Sequence, residues 1–448
     1  MREELRIDDL APGGEGVGQS RGRAVFVPFT APGDRVVAEV PAGEGAAHGE
    51  LVELLEAGPA RVAPPCTHFG PAGDRCGGCE WLHAAGAVQL EAKARTLREA
   101  LRRIGRIELD DATWRPPLAS PEALRYRSRA KLHLDRGAGR LVFFRRRSHE
   151  PVPVERCHLL VPGLEALRAA LGPAIVAAGL APREVAIEWS ALEGRGAAFL
   201  RLPAAGPRER GRAEALLAAV PSLGGLVLQA EGGAPLLVGD PVLRHERLPG
   251  DPSGGRCRSR PDVFQQANRP ANALLVRAAL DLLAPDGEEV LELFCGAGNF
   301  TGPLAARAKG VAAVEQQGPA LDLARADLAG GNVRFFAGDA LKLALAFARE
   351  AGPAARRFGA VLLDPPREGA RGIGPALRAL GVRRAVYVSC DPATLARDLR
   401  GCVEAGFRVE AVQAIDLFPQ THHVEGVVLL VDPAAAARGR EPSREGEA

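Results

Sequence analysis

From residue 262 onward, short apolar runs alternate with helical stretches. The runs are Glu289–Phe294, Val311–Val314, Val333–Phe336, Ala360–Leu363, Ala385–Val388 and Val424–Val431. Runs that are apolar throughout, without alternation, predict strands buried on both faces. Helical segments separate the first five, which is the rhythm of a doubly wound parallel sheet. The fold class is therefore α/β, with a Rossmann-like C-terminal domain. Upstream the texture differs. Residues 6–57 hold short β-rich runs, Ala24–Val27 and Arg35–Val40 among them, cut by Gly and Pro turns. This predicts a five-stranded, OB-fold-like β-barrel, serving either to bind oligonucleotides or as a structural cap. In "VQLEAKARTLREALRRIGR" (88–106), Val88, Leu90, Ala94, Leu97, Leu101 and Ile104 share one broad face. That predicts an amphipathic helix, placed against the C-terminal domain. Residues 124–160 return to strands, and 161–260 read as α+β without a motif. The expected domains are 1–60 (barrel), 61–261 (central α+β), 262–435 (Rossmann-like) and a disordered polar tail, 436–448.

A chain of 448 residues with 46% hydrophobic content can bury a sizeable core, and a net charge of +2 points to no partner. The placement of the basic residues says more. Of 57 Lys and Arg residues, only Lys93, Lys131, Lys309 and Lys342 are lysine. Arginine suits planar phosphate contacts. Nine basic side chains fall between Arg125 and Arg147 against one acid, Asp135. A strip so one-signed is expected to face nucleic-acid phosphates; a solvated sheet face is the plainer alternative. "MREELRIDDL" has no apolar core of a signal peptide, and the longest low-charge run, Leu171–Pro182, is too short for a membrane span. A cytoplasmic protein is expected, with no membrane partner and no obligate protein partner. Its eight cysteines should then be ligands, nucleophile or filler, not disulfides.

"VLELFCGAGNFTGPLA" (290–305) reads strand, glycine turn, helix. Gly296 and Gly298, with Asn299 after them, form a turn where a ligand can approach the backbone. The next three strands end in acids: Glu315 in "VAAVEQQ", Asp339 in "AGDAL" and Asp364 in "LLDPPREG". Each alone is as well read as a helix N-cap. Together, behind a glycine turn, they fit S-adenosylmethionine (SAM), which offers ribose hydroxyls, an adenine amine and a cationic methionine group but no phosphate.

Asp364-Pro365-Pro366 resembles a motif of methyltransferases acting on nucleobase amines. Those place an aromatic residue next, whereas Arg367 stands here. "YVSCDPATLARDL" (387–399) offers a different reacting group: Cys390 lies at the end of a predicted strand and Pro392 opens a helix. A uracil ring has no good nucleophile at C5. A thiolate adding at C6 makes C5 enolate-like, able to accept a methyl group, after which a base must remove the C5 proton. Glu425, where the last strand begins, is the candidate base; His422 and His423 are its rivals. Cys295 and Cys402 read as structural, and Cys257 has no assigned role.

"FQQAN", "LELFCGAGNFTGPLA", "LLDPPREG", "YVSCDPATLARDL" and "FPQTHHVE" occur in the order found in the RNA uracil-5-methyltransferases, which the chain resembles over most of its length. "GGEGVGQSRGRAVFVPFTAPGDRV" is similar to the TRAM domain that many members carry. The resemblance implies Cys390 as nucleophile and Glu425 as base. It implies SAM contacts from Gln266, Phe294, Glu315 and Asp339, with Asp364 between cofactor and target base. Asp391 departs from the family's usual Asn.

"CTHFGPAGDRCGGCEWLH" holds Cys66, Cys76 and Cys79, and Cys157 follows in "VERCHLL". By spacing, such a quartet suits zinc or an iron–sulfur cluster. The resemblance implies a [4Fe–4S] cluster, although the loop from Cys66 to Cys76 is longer than usual and His68 is an alternative ligand. It leans toward structured RNA of the 23S ribosomal type, with transfer RNA as the alternative. A DNA cytosine-5 methyltransferase would place its cysteine after proline and ahead of Glu-Asn-Val, and neither feature occurs. A non-catalytic RNA-binding scaffold remains the reading from a different class.

Overall fold

The computed structural model describes residues 1–72, 75–248, 255–328, 330–350 and 357–434. The disordered tail expected after 435 lies outside the described residues, as does part of the Cys66–Cys76 loop. By contacts the chain divides into two units. One comprises 1–93, 120–271 and 417–422, and the other 94–119, 272–416 and 423 onward.

In the first unit, six strands form one sheet, one more than expected: Arg2–Leu10, Gly16–Ser20, Arg23–Val27, Arg35–Glu39, Ala47–His48 and Glu50–Glu56. Arg2–Leu10 alternates exposed and buried residues. Its Leu5 and Ile7 pack with Val25, Val27, Val36 and Ala38 into a small closed core. A half-covered sheet produces this period of two. A second sheet of seven strands runs through the basic strip. Arg129–Asp135 and Arg140–Phe144 lie toward one edge, and helices Pro162–Ala177 and Pro207–Ala219 bury its apolar face. The segment 417–422 is held here by many hydrogen bonds. Gln420 accepts from the Glu80 and Trp81 amides, and its side chain pairs with Gln89.

The second unit is the expected doubly wound sheet. By residue range its strand order is 333–337, 310–315, 289–293, 360–363, 384–389, 425–431, 408–415. The first five are parallel. The order reverses at 289–293, which opens a crevice at the carboxyl ends of the strands. Arg408–Ile415 was not anticipated. It sits at the sheet edge, and its first residues alternate polar and buried, so no continuous apolar run announces it. Glu425–Val431 runs antiparallel between it and 384–389.

The helix expected at 88–106 is regular only over Gly86–Ala100. It continues as a wide turn, Leu101–Gly105, closed by Arg106 in the left-handed region. Leu97 and Leu101 are fully buried in the core of the second unit beside Leu395 and Leu399. Ile104, placed on the same face by a 3.6-residue period, is 45% exposed. The widened turn breaks the period and rotates it outward. Leu97→Ala leaves a void in this core and should cost about 2–5 kcal/mol, read as a lowered midpoint in urea unfolding.

Candidate active site

The antiparallel ladder places the central pair. Ser389 lies opposite Gly426, so the next residues outward are Cys390 and Glu425. Cys390 is half-buried and Glu425 is buried. Asp391 then caps the helix Pro392–Glu404, accepting from the Ala393 and Thr394 amides at 3.0 and 2.8 Å. An aspartate fills the N-cap role as well as the usual asparagine, so the turn that presents the thiol is kept. Of the rival bases, His422 packs in the first unit, where its Nδ1 lies 2.5 Å from Glu80 and its amide donates to the same carboxylate.

Three acids and one base share this crevice. Burial pushes the Cys390 thiol up to about 11, with Glu425 and Asp364 adding repulsion. Arg367 opposes this with its charge and a hydrogen bond to the sulfur. Burial raises the Glu425 carboxyl well above the carboxylate range; Asp364 adds to the rise and Arg367 works against it. Asp364 is raised to about 7 by burial. The residue as a whole keeps some accessible surface. The cluster therefore holds protons at neutral pH that separate groups would have lost. Arg367, read from the sequence only as a missing aromatic, is the cation common to thiol and carboxyl.

The glycine turn follows strand Glu289–Leu293. Phe294 adopts a left-handed backbone at φ 62°, rare for an aromatic residue, and Gly296 and Gly298 follow at φ 54° and 87°. A Cβ built on Gly296 would meet nothing within 4 Å, so the turn leaves room for a ligand. Glu315 accepts the Gly296 amide at 2.9 Å and the Gln317 amide at 2.7 Å, which aims its carboxylate at the turn. Asp339 caps helix Ala340–Arg349 through the Lys342 amide. Asn299 exchanges two amide hydrogen bonds with Asn272, at 2.7 and 3.0 Å, so its side chain braces the turn. Gln266 lies in the first unit and is half-buried.

Also in the first unit, Cys66, Cys76, Cys79 and Cys157 line one cavity of about 170 Å³ with His68, Phe69, Leu82 and Arg127. Burial raises the thiols of Cys76, to about 11, and of Cys79 and Cys157. Repulsion from the neighbouring thiols adds to the rise at Cys76 and Cys79. The Gly78 amide donates to the Cys76 sulfur at 3.4 Å. His68 accepts from the Glu155 amide through Nε2, so that nitrogen is taken. Among the described residues, no three His, Cys, Asp or Glu side chains are gathered tightly enough to hold a metal ion. The four cysteines share the wall of this cavity. Cys295 and Cys402 are buried, and Cys257 is buried with Arg269 donating to its sulfur at 3.8 Å.

Sheet order, glycine turn, strand-tip acids and a thiol opposed to a carboxylate define a methyltransferase-type Rossmann fold. Residues 252–432 match the family model of tRNA (uracil-5-)-methyltransferases, and residues 2–52 match that of the TRAM domain. The 23S rRNA (uracil(1939)-C(5))-methyltransferase RlmD of Pseudomonas aeruginosa is 37% identical over 436 residues, which is 96% of this chain and 94% of its own. Its counterpart from Alkalilimnicola ehrlichii is 37% identical over 439 residues, 95% and 96% of the two chains. The tRNA (uracil-54, C5)-methyltransferase of Pyrococcus abyssi, solved with S-adenosyl-L-homocysteine, has the same fold. Its TM-score is 0.72 at 22% identity, covering 96% of this chain and all of that one. The chain belongs to the SAM-dependent RNA uracil-C5-methyltransferase family. No helix among the described residues is long and apolar enough to cross a membrane.

A thiol raised to about 11 reacts only through its small thiolate fraction. Alkylation of Cys390 by iodoacetamide, followed by peptide mass mapping, should therefore keep rising through about pH 10 in the cofactor-free protein. Arg367→Met removes the opposing charge, moves the thiol higher still and should slow alkylation roughly 3- to 10-fold at fixed pH.

Proposed function

We propose that this protein methylates C5 of a uridine in 23S rRNA through a covalent adduct on Cys390. The observation that carries this reading is the ladder register that sets Cys390 beside Glu425, with Arg367 acting on both. The names and full-length similarity of the rRNA-modifying relatives support the substrate. The TRAM-like sheet and the basic strip offer the RNA a surface.

The Cys390 thiolate adds to C6 of the uracil, forming an S–C bond and pushing the ring electrons toward C5 and O4. SAM, when bound, supplies the electrophilic methyl that C5 takes. Gly296 and Gly298 would leave it room, and Phe294, Glu315 and Asp339 are the residues of the second unit that would hold it, Glu315 by the ribose hydroxyls. Glu425 then removes the C5 proton, the S–C6 bond breaks, and the thiolate leaves with the bonding pair. Arg367 serves the two groups in turn. While sulfur is anionic, the guanidinium stabilises it. Once sulfur is a neutral thioether, the same charge favours the Glu425 carboxylate, which must be ionised to act as base. Asp364, whose carboxyl is raised by burial alone, would meet the pyrimidine edge.

The donor set of the cysteine cavity fits a cluster: four thiols, a backbone amide on one sulfur and a largely apolar wall. We infer that Cys66, Cys76, Cys79 and Cys157 hold a [4Fe–4S] cluster, a group large enough to use a cavity that a single zinc ion would leave mostly empty. It would tie the 66–79 loop to the strands beyond Cys157. The reading places the protein in the cytoplasm, where such thiols stay reduced.

Cys390→Ala should abolish turnover, by at least about 10³-fold, while keeping SAM binding; normal methylation by that variant would end the proposal. Glu425→Gln should accumulate an RNA–protein adduct on a denaturing gel, and its absence would move the base role to a histidine. Mapping 5-methyluridine in cells lacking the protein decides the substrate: a lost mark in 23S rRNA is expected, and one lost only from transfer RNA would replace this reading. For the cluster, anaerobically purified protein should contain iron and acid-labile sulfide, and Cys79→Ser should lose both without losing SAM affinity. Zinc without sulfide would overturn it.

A further inference from the structure

Tyr387, Arg397 and Asp398 belong to the same stretch as Cys390 but have no part in the chemistry above. Asp398 sits on helix Pro392–Glu404, its side chain 1% exposed. Its Oδ2 accepts the Ala370 amide at 2.7 Å and the Tyr387 hydroxyl at 2.8 Å, and the same amide also reaches the Tyr387 oxygen at 3.1 Å. Arg397 donates to Asp398 through Nε at 2.9 Å and Nη2 at 3.1 Å, and Nη2 also reaches the Glu368 carbonyl at 2.7 Å. Between Glu368 and Ala370, Gly369 has φ 76°, and a Cβ there would lie 2.3 Å from Asp398 Oδ2 and 2.6 Å from Arg397 Nη2. The Gly369 amide closes a turn onto the Pro366 carbonyl at 2.8 Å. The loop 366–370 is thus drawn onto the helix so closely that only glycine fits at the contact.

That loop carries Arg367. Its anchors come from the strand just before Cys390, through Tyr387, and from the helix just after it, through Arg397 and Asp398. We propose that Asp398, with Tyr387 and Arg397, positions Arg367 against the Cys390 sulfur. The inference rests on the reading of the Cys390 site given above. An ordinary loop anchor would need only an acceptor for the Ala370 amide. A buried carboxylate costs desolvation and persists where several donors meet it. Here the donors are an amide, a phenol and a guanidinium, from the loop, the strand and the helix itself. Removing any of them frees the loop to carry the Arg367 charge away, leaving Cys390 with Glu425 from the antiparallel strand and Asp364 from the loop's start.

The test is the pH profile of Cys390 alkylation in the full-length protein, with SAM affinity and thermal midpoint measured alongside. Asp398→Ala should shift the profile upward and slow alkylation about tenfold at fixed pH, one pKa unit's worth, as Arg367→Met does. The double variant should go no further than either single one, because both remove one interaction. Tyr387→Phe should shift it less, and Asp398→Asn should recover part of the loss. Leu97→Ala, destabilised in the same core, should leave the profile in place, which separates positioning from general loosening. A wild-type profile in Asp398→Ala that still binds SAM, or full additivity in the double variant, would overturn the proposal. If Asp398→Ala does not fold, Tyr387→Phe decides, and a wild-type profile there overturns it equally. Thiol reactivity is read without RNA, so this result stands or falls separately from methylation by Cys390→Ala.

Discussion

Antiparallel insertion of Glu425–Val431 beside Arg384–Ser389 is the constraint on which the site depends. In a parallel sheet, strand tips at one edge all deliver residues leaving a strand. An inserted antiparallel strand delivers to the same edge a residue that is entering one. Cys390 leaves and Glu425 enters, so two residues 35 positions apart in sequence become a cross-strand pair. A slip of one residue would turn both side chains to the wrong faces. The buried valines and leucines of both strands, fully enclosed in the core, make such a slip expensive. The precision of the chemistry is thus inherited from hydrophobic packing several residues away.

That register brings acids together at a cost. Glu425, Asp364 and the Cys390 thiol are all driven toward their neutral forms by burial, and repulsion adds to the effect for the first and last. Such a site cannot ionise all its groups at once. In the proposed reaction the anion is first the thiolate and then the ring enolate, which the incoming methyl cation neutralises; only afterwards is the Glu425 carboxylate needed, and its charge returns to sulfur on elimination, so one anion at a time is enough. A single guanidinium is then sufficient, provided it stays where both groups can use it. The positioning of the 366–370 loop is, on this view, as much a part of the electrostatics as the charge of Arg367.

The sheet was legible because its five parallel strands are short unbroken apolar runs, and the strand-tip acids and glycine turn followed from their ends. Cys390 and Glu425 stood out from motifs with a chemical reason for each residue, and the ladder register brings them to neighbouring positions. The edge strand Arg408–Ile415 was not visible, because an edge needs no continuous apolar run. Ile104 was misplaced because a widened turn shifts the helical phase. Asp339 and Asn299 show the limit for polar residues: cap, brace and ligand contact ask for the same side chains, and only the partners tell them apart. Arg367 and Asp398 were unreadable for a further reason. Their value lies in contacts among a strand, a loop and a helix, which no local pattern records. The interleaving of 94–119 and 417–422 with the other unit is likewise a property of packing.

The thiols show how one residue type is sorted by its surroundings. Cys402 is buried, and its thiol is pushed up to about 12 by burial first and by the Asp398 carboxylate second; such a thiol is inert filler. Cys76 and Cys79 are raised by burial and by the neighbouring Cys157 and Cys66 thiols, with Cys76 adding to the rise at Cys79, a repulsion that a shared positive group would relieve. Cys390 is raised to a similar degree as Cys76, mainly by burial, but the repulsion added to it comes from Glu425 and Asp364, and Arg367 opposes it with its charge and a hydrogen bond to the sulfur. A raised thiol pKa does not by itself distinguish ligand, filler and nucleophile. The surroundings differ more: other thiols crowd Cys76 and Cys79, a single carboxylate of the same helix raises Cys402, and at Cys390 two carboxyls are opposed by a guanidinium.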